Sequence, residues 1–251
     1  METTRGLMLC PTCWLLPAYC CCKMWHRVET RHRVCIYMHH NEWGRGINSG
    51  IALKTSGGAG VYLSGNKDME AELKQAFDEN EESVFILWPP DPEGKSSTRK
   101  APFVSANDLP ELYPDAVQKG ITIVAIDATW KNARSMVKRL PDHLKRVYIK
   151  GGIDGHLPDG TASIPETSGS LLRPVRKYKG FEGRVSTLEA VVGLLRFVGE
   201  SEDVCEKLLD NLKMKVDAVQ AQKNQPPIYG HQIAGPAGRV ASPPPPPGPE
   251  A

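Results

Sequence analysis

The sequence predicts an α/β fold with a mainly parallel sheet. Short apolar runs alternate with amphipathic segments from about residue 33 to residue 150, as strands alternate with helices in such folds. The run Ile121–Ile126 is mostly apolar without regular alternation, which is typical of a strand buried on both faces. A length of 251 residues with 40% hydrophobic content suits one domain with small appendages.

The elements of this domain follow from the periodicity of the apolar residues. Strands are predicted at Arg33–His39, Gly60–Leu63, Ser83–Trp88, Ile121–Ile126 and Arg146–Ile149. Helices are predicted at Ile47–Lys54, Met69–Glu79 and Trp130–Leu140. Two polar stretches rich in Pro, Gly and Ser, Pro89–Lys100 and Gly151–Thr167, are predicted to be long loops over one edge of the sheet.

Two further helices are predicted near the carboxyl end. Ser186-Thr-Leu-Glu189 fits a capping box, in which the serine caps a helix and the glutamate reaches back to it. The second helix is predicted from about Glu202 to Gln220, with Cys205 on its apolar side.

The chain divides into three predicted parts. Residues 1–30 form a Cys-rich head that is too short to be held together by apolar burial alone. Residues 31–222 form the α/β domain. Residues 223–251 are rich in Pro and Gly, end in the run Pro243–Pro247, and are expected to be disordered.

The head carries two close pairs of cysteines, Cys10-x-x-Cys13 and Cys20-x-Cys22. Four thiolates in this pattern can surround one zinc ion tetrahedrally and so fold the segment. Cys21 competes for either position of the second pair, and free or redox-active thiols are the alternative reading. We predict a structural zinc bound by Cys10, Cys13, Cys20 and Cys22, with no open coordination position for catalysis.

Several classes of protein are excluded by composition. No apolar run approaches the ~18–20 residues that span a bilayer, and the first residues lack the pattern of a secretory signal. We therefore expect an intracellular protein, cytoplasmic or nuclear, that is not in the membrane. The net charge of +2 indicates no partner by itself, but seven basic residues and one acidic residue lie between Lys131 and Lys150.

The segment Asp127-Ala-Thr-Trp130 follows the predicted buried strand and begins a helix. In open α/β sheets, ligands bind at this edge, outside the carboxyl ends of the strands. Alternatively, Asp127 or Thr129 caps the helix while Trp130 packs against it. These residues taken alone leave both readings open.

Several short motifs follow one another along the chain. They are the paired cysteines, His40-x-Glu42, Asn48-Ser-Gly50, Trp88-Pro89, the DxTW signature with Ala133-Arg134 behind it, Arg173–Arg176 and Ser186-Thr-Leu-Glu-Ala190. Taken together and in this order, from Cys10 to about Leu212, they resemble the DTW-domain family of tRNA-uridine aminocarboxypropyltransferases. The chain departs from the family at Ser49, where Thr is frequent, and at Asn41, where Pro is frequent.

The resemblance implies a fold similar to the knotted SPOUT-like methyltransferases and the transfer of an aminocarboxypropyl group from S-adenosylmethionine to a uridine nitrogen in tRNA. Asp127 would be the general base or would orient a substrate, with Thr129 and Trp130 beside it. Trp130 would either pack in the core or stack on a base. The loops expected to hold S-adenosylmethionine contain Trp88, Pro89, Ser186, Thr187, Leu188 and Glu189.

Basic residues next to this site are expected to contact tRNA. Lys131, Arg134 and Lys138 recur at helical spacing and should share one face, although a solvated face without a ligand is the ordinary reading of such a stripe. Arg173 and Arg176 belong to a second basic cluster. Two other functions remain open, a SPOUT-like RNA methyltransferase and a non-catalytic zinc-ribbon RNA-binding protein.

Overall fold

The computed structural model describes residues 8–90, 101–149, 170–172 and 185–235. Six parallel strands form one sheet in the order β2-β1-β5-β3-β6-β4. The strands are β1 (Arg33–Met38), β2 (Gly60–Leu63), β3 (Val84–Leu87), β4 (Phe103–Ser105), β5 (Thr122–Asp127) and β6 (Lys145–Tyr148). The predicted α/β class and parallel sheet are confirmed, while the likeness to knotted methyltransferases stays a prediction.

Seven α-helices lie within the described ranges. They are α1 (Gly50–Gly57), α2 (Lys67–Asp78), α3 (Leu109–Leu112), α4 (Pro114–Lys119), α5 (Trp130–Val137), α6 (Thr187–Phe197) and α7 (Glu202–Gln222). The predicted helices are confirmed with shifted ends, and the capping box at the start of α6 is formed as predicted. Strand β4, of three residues, and helices α3 and α4, of four and six residues, were not predicted, because a helix of one or two turns shows no apolar period and a three-residue strand shows no alternation.

The sheet separates two apolar cores because successive side chains of a strand point to opposite faces. From β1, Val34, Ile36 and Met38 pack with residues of α1, α6 and α7 on one side. Cys35 and Tyr37 pack with residues of α2 and α5 on the other side. Helices therefore cover both faces, and the loops that follow the strands are left at the carboxyl edge.

The Cys-rich head shares the core of the α/β domain. Trp14, Leu15 and Trp25 are buried in the same cluster as the residues of α6 and α7. Backbone groups of the head also bind α7, since Leu16 N–H donates to Gln222 Oε1 at 3.0 Å. The head is thus held by apolar packing on the domain as well as by its own cysteines.

The predicted boundary of the disordered tail at residue 223 is wrong. The buried carboxylate of Asp217 accepts hydrogen bonds from the backbone N–H groups of Ile228, Tyr229 and His231 at 2.6–2.9 Å. Ile233 is buried as well. Composition misled the prediction because a Pro-rich segment can still pack when a buried acceptor binds its amides. Residues 236–251 lie outside the described residues.

Candidate active site

The last residue of β5, Asp127, forms the centre of the candidate site. Its side chain lies at the carboxyl edge of the sheet, and the residue is only 7% exposed. One carboxylate oxygen accepts a hydrogen bond from Asn48 Nδ2 at 2.6 Å, and the other accepts one from Thr187 Oγ1 at 2.8 Å. The carboxylate therefore joins three segments that are distant in sequence.

The approach of Asp127 to α1 requires a glycine. A β-carbon on Gly50 would lie 2.7 Å from Asp127 Oδ2 and 3.3 Å from Asn48 Oδ1. Asn48 itself is fixed, because its Oδ1 accepts the N–H of Ile51 at 3.0 Å in the first turn of the helix. Its amide nitrogen is thereby turned toward Asp127.

The first turn of α6 forms the other wall of the candidate site. Ser186 and Glu189 make the reciprocal capping box, and Glu189, which is fully buried, also accepts hydrogen bonds from Ser170 Oγ and Leu171 N–H. The N–H of Leu188 donates to Ser49 Oγ at 3.4 Å. This turn is thus locked to the loop before α1 and places Thr187 against Asp127.

The predicted cofactor residues on this turn differ in how deeply they are buried. The side chains of Leu188 and Glu189 are fully buried, one in the apolar core and the other in the capping box. Both residues have 0% exposure, backbone included, so neither presents a surface to a ligand in this structure. Thr187 is partly exposed and contacts Asp127, so it is the side chain of this turn best placed to meet a ligand.

The electrostatic state of Asp127 is set by burial. Burial raises the pKa of its carboxyl, while the hydrogen bonds from Asn48 and Thr187 lower it and the nearby Glu42 raises it further. A raised pKa makes the carboxylate of Asp127 a stronger base than that of an exposed aspartate. Neither Asp127 nor Thr129 caps α5 with its side chain, because the oxygens of Asp127 bind other segments and the N-cap residue, Thr129, makes no side-chain cap bond.

Two tryptophans lie beside Asp127 at the same edge. Trp130, the first residue of α5, is 40% exposed, and its ring centre lies 5.6 Å from that of Trp88, which follows β3. Trp88 is only 7% exposed and packs in the core between the sheet and α5. Trp130 is thus more exposed than Trp88 and contacts its ring, and the stacking of Trp130 on a base stays a prediction. Thr129 and Pro89 are exposed nearby.

Three exposed basic side chains continue from this site along α5. We call them the α5 basic face: Lys131, Arg134 and Lys138. The apolar positions of the same helix, such as Met136, are buried against the sheet, and contact of the three basic residues with RNA stays a prediction. Arg173 and Arg176, the other predicted RNA contacts, lie outside the described residues.

The four predicted metal ligands converge in the head. The sulfurs of Cys10, Cys13, Cys20 and Cys22 all lie within 4.8 Å of one another. Cys10 and Cys22 are 3.8 Å apart, Cys13 and Cys20 are 3.8 Å apart, and Cys10 and Cys20 are 3.5 Å apart. A disulfide bond is about 2.05 Å long, so these are free thiols arranged as a group that can hold a metal ion. Cys21 is buried beside the group without completing it.

Sequence reasoning did not assign a role to Asn48, Ser49 or Gly50. Their signal was present as the short motif Asn-Ser-Gly, but nothing in its spacing shows that it meets a strand end 79 residues later. Glu42, from the motif His40-x-Glu42, raises the pKa of Asp127 only because the fold brings the two residues near each other.

The family model for the DTW domain matches residues 7–220. The chain belongs to the DTW domain family. This family is associated with tRNA modification, and membership is consistent with a tRNA-modifying transferase. Comparison with curated proteins and with solved structures gives no significant match.

The DTW domain match covers both the cysteine group and the Asp127 site. In the described part of this DTW-domain chain, no helix combines the length and apolar character needed to cross a membrane.

Proposed function

We propose that this DTW-domain protein transfers the 3-amino-3-carboxypropyl group of S-adenosylmethionine to a uridine nitrogen in tRNA. The proposal rests on one observation above all, the buried Asp127 held at the carboxyl edge of the sheet by Asn48 and Thr187. Family membership adds the link to tRNA modification.

The reaction requires loss of a proton from uracil. The imide nitrogen attacks the carbon of the four-carbon chain that is bonded to the sulfonium, so a C–N bond forms. The C–S bond breaks and its electron pair returns to sulfur, which leaves as a neutral thioether. Asp127 accepts the imide proton and passes it to solvent, which is general-base catalysis.

Which carbon of the sulfonium reacts depends on orientation alone, because three carbons are activated. The residues placed to control that orientation are those around the carboxylate, namely Thr187 on α6 and Trp130 on α5. Both project from helix termini that are anchored to the sheet edge, so a small shift of either helix would change the carbon that is presented.

The head is proposed to hold a structural zinc ion. With Zn–S bonds of about 2.3 Å, the edge of a tetrahedron of sulfurs is about 3.8 Å long. Three of the six sulfur separations, at 3.5–3.8 Å, are close to that edge, and all six are within 4.8 Å. Zinc there would stabilise the segment that packs on α7 and would leave no open position for chemistry.

The tRNA partner is proposed to bind along the α5 basic face. The first residue of this face, Lys131, directly follows Trp130, so phosphates of a bound nucleotide would be held next to the Trp130 ring. Such contacts position the RNA without reading its sequence.

Mass spectrometry of nucleosides from tRNA incubated with the protein tests the function. Two batches of S-adenosylmethionine are used, one labelled in the methyl group and one in the four-carbon chain. The proposal expects label in uridine only from the chain-labelled batch. Label from the methyl batch would make the protein a methyltransferase, while tRNA binding without any binding of S-adenosylmethionine would make it a non-catalytic RNA-binding protein.

A further inference from the structure

A fully buried lysine lies against the cysteine group. Lys215, in the middle of α7, has 0% exposure, and its Nζ donates a hydrogen bond to the carbonyl oxygen of Cys13 at 2.7 Å. Its ammonium also lies 5.5 Å from the centre of the Trp25 ring. Across the ranges that the structure describes, no carboxylate forms an ion pair with it.

A charge buried in this way needs an opposite charge nearby. Moving an ammonium group out of water costs several kcal/mol, and buried charges in proteins are usually paired with an opposite charge. One carbonyl oxygen and one aromatic face supply only partial charges. A group that can become an anion lies beside the lysine, because Cys13, whose carbonyl oxygen the ammonium binds, also supplies a sulfur to the cysteine cluster.

The cluster becomes an anion when it binds a metal. Four neutral thiols carry no charge, but four thiolates around a divalent zinc ion carry a net charge of −2. An ammonium group beside the cluster would reduce that charge to −1. The chemistry of the lysine and the geometry of the sulfurs thus point to the same occupied state.

We propose that Lys215 is the countercharge of the zinc–thiolate centre and fixes the centre to α7. The inference rests on the zinc ion proposed above. It gives α7 a role in metal retention, although every metal ligand lies near the amino terminus. The head and α7 then stabilise each other, because burying the negative charge of the zinc–thiolate centre or the positive charge of Lys215 alone would cost free energy.

The test measures zinc affinity of the full chain by competition with a chromophoric chelator. Lys215→Gln keeps a donor for the Cys13 carbonyl but removes the charge, and Lys215→Met removes both. Loss of an outer partner of a metal site lowers affinity by roughly 10–100-fold, and we expect both variants to fall in that range. Lys213→Gln is the matched control, since Lys213 is partly exposed on the same helix and should leave the affinity unchanged.

Cobalt substitution checks that the ligands stay the same. The absorption bands of Co²⁺ should still report four thiolates in Lys215→Gln, whereas Cys22→Ser should lose one. Wild-type affinity in Lys215→Gln with weaker binding in Lys215→Met would overturn the proposal and leave the lysine as a hydrogen-bond donor. If the wild-type chain binds no zinc, the zinc proposal itself fails. Should Lys215→Met not fold, Lys215→Gln alone decides the question.

Discussion

Replacing Asp127 with asparagine tests whether its carboxylate acts in catalysis or only holds Asn48 and Thr187 in place. The new side chain has one acceptor and one donor where the carboxylate has two acceptors. Asn48 cannot turn its amide, because its oxygen already binds Ile51, so the acceptor of the new residue must face Asn48. The new N–H₂ then faces Thr187, whose hydroxyl can accept as well as donate. Both hydrogen bonds survive, and the fold should lose no more than about 1 kcal/mol.

The chemical step should suffer far more than the fold. Loss of a general base lowers turnover by roughly 10²–10⁴-fold, which corresponds to about 3–5 kcal/mol of transition-state stabilisation. The assay is single-turnover transfer to tRNA, with equilibrium binding of S-adenosylmethionine measured in parallel. We expect transfer to collapse in Asp127→Asn while binding persists. Transfer at a near-normal rate would show that Asp127 only anchors Asn48 and Thr187.

The pH dependence gives a second signature. Because burial raises the pKa of Asp127, transfer by the wild-type chain should increase with pH through that raised pKa, and the variant should lack this limb. The free energy of unfolding changes in the opposite direction with pH. Between the ordinary aspartate pKa of 3.8 and the raised pKa of Asp127, the folded chain binds more protons than the unfolded chain. The wild-type chain therefore loses stability across this window as pH rises. Urea titrations should show Asp127→Asn gaining relative stability over the same range.

Two further variants test the surroundings of the site. Changing all three residues of the α5 basic face to glutamine should reduce the slope of log K for tRNA binding against log salt concentration by roughly one unit per lost phosphate contact. The affinity for S-adenosylmethionine should not change. An unchanged slope would show that the face is an ordinary solvated surface. Gly50→Ala should destabilise the fold in urea titrations, because overpacking costs about 1–3 kcal/mol and exceeds the gain of about 1 kcal/mol in helix propensity. Gly57→Ala is its control, since a β-carbon there would meet nothing closer than 3.7 Å. Equal effects of the two changes would contradict the close approach of Gly50 to Asp127.

Local patterns determined much of what the sequence could predict. The α/β class followed from apolar periods within single strands and helices, and the start of α6 followed from a capping box four residues long. The cysteine group followed from two pairs, each formed by near neighbours. These features are readable because the residues that produce them lie within one or two turns of chain.

The tertiary structure decided what those residues meet. Asn48 and Thr187 reach Asp127 across 79 and 60 residues, and Lys215 reaches Cys13 across 202. Single polar contacts over such distances leave no period in the sequence, because each needs only one suitable residue at one point. The sequence by itself therefore determined which chemical groups the protein contains. Only folding, by bringing the ends of parallel strands to one edge, decided which of them share a site.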